Sequence, residues 1–114
     1  MTEKISHYNE LLEKIFQECH PKIIDRYLIT YKSCFGAIAG YTDGKIFCSL
    51  GKFGFALKLP PSELKDLHNN GCRPLKYFPN GHIKKDYAIL SKSVMENKAK
   101  ISRLIKMSVK FATK

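Results

Sequence analysis

A single α+β domain spanning residues 1–114 is what this sequence predicts, with an antiparallel sheet of about five strands and helices packed on it. Three observations predict it. Both ends of the chain repeat apolar residues at helical spacing, whereas the glycine-punctuated middle, "CFGAIAGYTDGKIFCSLGKFGFALKL", moves to a period of two. The segments between these patterns are short, as connections in compact domains are. A chain of 114 residues is also too short to divide comfortably into two independent cores.

The first element is "ISHYNELLEKIFQEC", where Ile5, Tyr8, Leu11, Leu12, Ile15, Phe16 and Cys19 share one side and Glu and Lys the other. It should stop near His20, because Pro21 lacks an amide hydrogen and disfavours helical geometry in the residue before it. "KIIDRYLITYKS" reads as a short helical turn leading into a strand, its "YLITY" being rich in β-branched and aromatic residues. In "KIFCSL", Ile46, Cys48 and Leu50 fall on one face. In "FGFALKL", Phe53, Phe55, Leu57 and Leu59 alternate with Gly54, Ala56 and Lys58. Asp43-Gly44 suits a tight hairpin before "KIFCSL" and Gly51 to Gly54 a second one after it, which makes a three-stranded meander.

"PPSELKDLHNNG" predicts a short helix with proline at its mouth, Leu64 and Leu67 inward, and a left-handed cap at Asn70-Gly71. "RPLKYFPNGHIKKDYAIL" predicts a hairpin with Leu75 and Tyr77 on one strand, Tyr87 and Ile89 on the other, and Asn80-Gly81 between them. From Asn97, Ile101, Leu104, Ile105, Ser108, Phe111 and Ala112 form a helical stripe, with Lys100, Arg103, Lys106 and Lys110 on the opposite side. The expected order is α-β-β-β-α-β-β-α.

The formal net charge is +10, unevenly placed: residues 75–114 hold ten Lys or Arg against Asp86 and Glu96 alone. Such a field attracts polyanions and also serves solubility. Nucleic-acid binding would therefore use the last helix, through Lys98, Lys100, Arg103, Lys106 and Lys110, helped by Lys84 and Lys85. Against it, the chain has no tryptophan and no clear aromatic platform for stacking bases.

The glycines do not form a phosphate loop, since neither a Lys-Ser/Thr pair nor the dinucleotide spacing follows them. Cys19, Cys34, Cys48 and Cys72 contain no close pair of the kind that ligates zinc or runs dithiol chemistry. Reduced structural cysteines are the reading adopted over two disulfides, or over a metal site with His68 or His82. No cofactor is expected. No carboxylate pair, nucleophile elbow or flanked cysteine points to catalysis, although a histidine brought near Cys34 by folding would revive it. No apolar run approaches the roughly 18 residues of a membrane span, and the N-terminus lacks the features of a secretory signal. A cytoplasmic protein without membrane attachment is expected.

Taken together, "FGAIAGYTDGKIFCSL", "ALKLP", "GCRPLKYFPNG" and "KKDYAIL" resemble, in order and interval, the N-terminal domain of the TfoX (Sxy) family, from about Leu28 to the C-terminus. The carrying matches are Phe35-Gly36, Gly40-Tyr41, Asp43-Gly44-Lys45, Phe47 and Leu57-Lys58-Leu59-Pro60; Cys34 stands where the family's motif commonly has methionine. The resemblance implies a bacterial cytoplasmic domain of secretion-chaperone-like topology, with no catalytic residues to carry over and, by analogy of topology, a homodimer. Two-domain relatives of this kind regulate natural competence and its transcription programme. This chain has no room for their C-terminal helical domain and resembles a stand-alone form. The expected function is a regulatory or adaptor domain working through protein contacts, at the exposed sheet face or an edge strand. The residues do not specify which protein it meets.

Overall fold

Two tight turns set the register of the sheet. In the computed structural model, which describes residues 2–19, 28–34, 36–76, 81 and 83–113, Asp43 and Gly44 take φ angles of 50° and 80°. Paired positive φ angles match a two-residue hairpin loop to the twist of its strands. They join β2 (Ala37–Thr42) to β3 (Lys45–Gly51). Lys52 and Phe53 then turn between the paired Gly51 and Gly54 into β4 (Gly54–Lys58).

On the other side of β2 lies β1 (Ile29–Cys34), paired from Ile29↔Thr42 to Cys34↔Ala37. The expected three-stranded meander therefore has four strands, because the β-branched and aromatic part of "YLITY" finds a complete partner in β2. The helical turn expected before it falls within residues 20–27, outside the described residues.

After β4, α2 (Pro61–Asn69) leads into β5 (Arg73–Leu75), which pairs antiparallel with β6 (Lys84–Ile89). β6 also pairs with β4, so the sheet has six strands, all antiparallel, in the order β1-β2-β3-β4-β6-β5. Tyr77 and Asn80, expected in this hairpin, lie outside the described residues. α1 (Thr2–Cys19) precedes the sheet; a one-turn α3 (Lys92–Met95), absent from the expected order, and α4 (Lys98–Ala112) follow it.

The ends of the later helices are built from local hydrogen bonds. Asn97 Oδ1 accepts from the Lys100 amide at 3.1 Å and starts α4. At the end of α2, Gly71 has φ 91°, its amide donates to the His68 carbonyl at 3.4 Å, and the Cys72 amide donates to that of Leu67 at 3.0 Å. These two bonds are the Schellman arrangement, and the glycine supplies the left-handed residue it requires.

All four described helices bury their apolar residues in one cluster on one side of the sheet. Leu12 and Phe16 of α1, Leu64 and Leu67 of α2, Val94 of α3 and Leu104 and Ile105 of α4 meet Phe47, Phe55 and Leu57 there. Two side chains depart from the expected alternation. A bulge pairs Gly40 with Cys48 but Tyr41 with Ile46, which makes Phe47 the extra residue and turns Ile46 to the face opposite Cys48. Gly54, at φ 116°, breaks the alternation before Phe55. Phe53 consequently joins a second cluster with Ala56, Leu75, Tyr87 and Ile89, away from Phe55 and Leu57.

Candidate functional site

The side of the sheet away from the main core carries a surface of its own. Its floor is made of small residues, Ala37, Ala39, Ser49 and Ala56, all buried. Gly51 is small by necessity, since a Cβ there would come within 2.8 Å of Ala37 Cβ and 3.1 Å of the Phe53 ring. Register and alternation place Lys32, Lys58 and Arg73 on this side. Lys32 Nζ stands 5.1 Å from the centroid of the Tyr41 ring, a cation–π contact. Among the described strand residues that the register puts on this side, none is aspartate or glutamate.

At the β5 edge this surface deepens into a hollow of about 560 Å³, lined by Phe53 and Ile89 together with the exposed Lys52, Arg73 and Lys76. A second hollow of about 590 Å³ lies on the helical side, lined by Pro61, Leu64, Lys65 and His68 of α2 and by Lys85 and Asp86 of β6. Pro74 and Ile83 line both hollows. The two therefore flank the edge of the sheet, one on each side of it. Ile83 is 50% exposed, one of the few large apolar side chains left in solvent among the described residues.

The cations expected to meet nucleic acid do not form one patch. At 100° per residue, Arg103, Lys106 and Lys110 share a stripe opposite the buried Ile101, Leu104, Ile105 and Ser108. Lys98 lies on a different flank and faces α1, its Nζ 3.8 Å from Glu18 Oε2. Lys100 is half-buried beside the Asn97 cap. Arg103 donates to Glu63 Oε1 at 3.2 Å and to Met107 Sδ at 3.3 Å, so part of its charge is already answered by α2. Glu63 lies on one flank of the buried Leu64 and Leu67, and Pro61, Lys65 and His68 on the other. Lys85 is on that second flank, lining the helical-side hollow, so α2 separates it from the α4 stripe. Lys84 opens β6 opposite Leu75.

Cys48 is fully buried and its thiol is pushed well above its ordinary range by that burial, a hydrogen bond from the Gly40 backbone acting weakly the other way. Such a thiol is a packing group. Cys72 is buried too, and its Sγ accepts from the Ser91 amide at 3.3 Å. The side chains of Cys19 and Cys34, and with them the reading that a histidine activates Cys34, lie outside the described residues. Among the described residues, no three of His, Cys, Asp and Glu cluster closely enough to hold a metal ion, and no helix is long and apolar enough to cross a membrane.

The profile of the TfoX N-terminal domain matches residues 25–112, from just before β1 to the last turn of α4. The chain belongs to the TfoX N-terminal domain family. No curated protein matches it. The TfoX match takes in the whole sheet, both hollows and the basic stripe, while α1 lies outside it. Reading the sequence missed the hollows because their walls come from residues 52–53, 61–69, 73–76 and 83–89, which only strand pairing and the packing of α2 bring together. The signal was faint but present: an Arg-Pro pair in a strand marks an edge, since proline is tolerated there and not in a central strand.

Proposed function

We propose that this chain is a non-enzymatic bacterial regulatory or adaptor domain, acting in the cytoplasm by binding a protein across the side of the sheet opposite its described helices. The observation that carries this reading is the arrangement of that side: Lys32, Lys58 and Arg73 around a floor of small buried residues, and no carboxylate among its described strand residues. Membership of the TfoX N-terminal domain family, which is regulatory and competence-related in general, supports it. The burial of Cys48 supports a scaffold role over a nucleophilic one.

A photo-crosslinking residue placed at Lys32 or Lys58, and separately at Lys106 or Lys110, tests the proposal in the native cytoplasm. Specific protein adducts from the first pair and none from the second are expected. Adducts from neither pair would remove the adaptor reading. Self-crosslinks alone would replace it with a homodimer, to be checked by sedimentation.

The outward stripe of Arg103, Lys106 and Lys110 favours a second reading, nucleic-acid binding along α4. Phosphate contacts of this kind weaken steeply with salt. Failure of duplex DNA to shift the protein at low salt would end it.

A further inference from the structure

We propose that the β5 edge binds an extended acidic peptide segment of a partner protein, two adjacent apolar side chains of which enter the two hollows on either side of Pro74 and Ile83. This rests on the reading that the chain works through protein contacts, and names the chemistry of what it meets.

The geometry of an extended chain leads to this occupant. Successive side chains of a strand point to opposite faces. The hollows lie on opposite faces of one edge, one beside Phe53 and Ile89, the other beside Pro61 and Leu64, and share Pro74 and Ile83. A strand laid along this edge would place neighbouring residues in the two hollows alternately, which is how edge-binding domains gain specificity. Their volumes of about 560 and 590 Å³ leave room for a large aliphatic or aromatic group in each.

Charge selects the rest of the peptide. Lys52, Arg73 and Lys76 line one hollow and Lys65 and Lys85 the other, with Asp86 the one carboxylate among the described lining residues. Carboxylates flanking the apolar pair would meet these cations. A second copy of this chain, with its own net charge of +10, would bring repulsion instead.

The edge itself also discourages self-pairing. β5 is three residues long and its middle residue is Pro74, which brings an acceptor and no donor. Short strands and prolines are how native edges resist joining another copy. Recognition therefore rests on side chains, and a nucleic-acid strand would leave both apolar hollows unused.

A displayed library of random octapeptides, selected against the full chain, tests this. Enrichment of an adjacent apolar pair flanked by Asp or Glu is expected. Measured by fluorescence anisotropy, the winning peptide should bind Arg73→Glu and Ile83→Asp about tenfold more weakly or worse, and Lys106→Glu within about twofold of the parent. Lys76→Glu replaces either variant if circular dichroism shows that it has not folded.

No enrichment, enrichment of basic peptides, or an equal loss in Lys106→Glu would overturn the proposal. Displacement of the peptide by single-stranded oligothymidine of equal charge would reassign the edge to nucleic acid. If the library fails while the Lys32 and Lys58 crosslinks stand, only the peptide inference falls.

Discussion

Phe47 is the extra residue of the β3 bulge, and Ser108 Oγ reaches its carbonyl at 2.8 Å from α4, with both groups buried. A bulge takes a backbone group out of the ladder, and a buried acceptor without a donor is costly. Ser108→Ala should therefore lower stability by about 1–3 kcal/mol in urea unfolding. A change within error would mean that the helix is not what satisfies the bulge.

Gly40 is tied to the same region from the opposite strand. A Cβ at Gly40 would stand 2.5 Å from Cys48 Sγ, so Gly40→Ala should cost about 1–3 kcal/mol by overpacking. Adding Cys48→Ala should recover part of that loss, because the two changes share one space and their effects will not add. Simple additivity in the double-mutant cycle would place the strain elsewhere.

Two acids in this neighbourhood, Cys48 fully buried and Tyr31 partly buried, set a pH limit. Tyr31 is raised from 10.0 to about 12, chiefly by burial and then by the charges of Glu13 and Cys48; Cys48 is raised from 9.0 by burial. A raised pKa means that the folded chain keeps a proton the unfolded chain gives up, so stability is full below the ordinary value and falls as pH climbs through the folded one. The melting temperature should be level up to pH 9.0, then decline as Cys48 and, past 10.0, Tyr31 come into play. Cys48→Ala should flatten the first part of the decline. A wild-type melting temperature still level at about pH 11 would contradict the assignment.

At the scale of elements, α1 is held by an aromatic stack. The ring of Phe16 lies 6.4 Å from that of Tyr31 on β1 and 5.9 Å from that of Phe47 on β3, nearly parallel to both. Phe16 is 0% exposed. Phe16→Ala should cost about 3–5 kcal/mol and raise amide exchange along β1 as well as in the helix. A loss confined to α1 would show that the stack does not transmit.

Elements whose pattern is local could be read before folding. The 3.6-residue stripes of α1 and α4, the Asp43-Gly44 turn and the Gly71 cap are each determined by a few adjacent residues. What could not be read depended on distant partners. β1 was ambiguous until β2 paired with its whole length, Ile46 and Phe53 changed faces through a bulge and a glycine that a strict period of two cannot anticipate, and α3 is a single turn with too few residues for a period. The candidate site fares likewise. The cations of α4 were legible as a stripe, and three of them form one, but the separation of Lys85 from that stripe by α2 is a fact of tertiary packing.

At the scale of the whole molecule, the positive charge is divided between two surfaces. Arg103, Lys106 and Lys110 face outward from the helical layer, while Lys32, Lys58 and Arg73 face outward from the sheet. The ion pair of Arg103 with Glu63, the arginine 53% exposed, adds little to stability in water. Reversing Lys106 and Lys110 together should leave urea stability within about 0.5 kcal/mol, because neither charge is structural. A larger loss would reveal a packing role for their stems.

The placement of α1 has a practical consequence. Likeness to the family begins at residue 25, yet Leu12 and Phe16, upstream of it, are completely enclosed against the sheet. A polypeptide trimmed to the matched span would lose the lid over Phe47 and present a greasy trough to water. It should be recovered mostly as aggregates, because the span shared with the family is shorter than the span that closes the core.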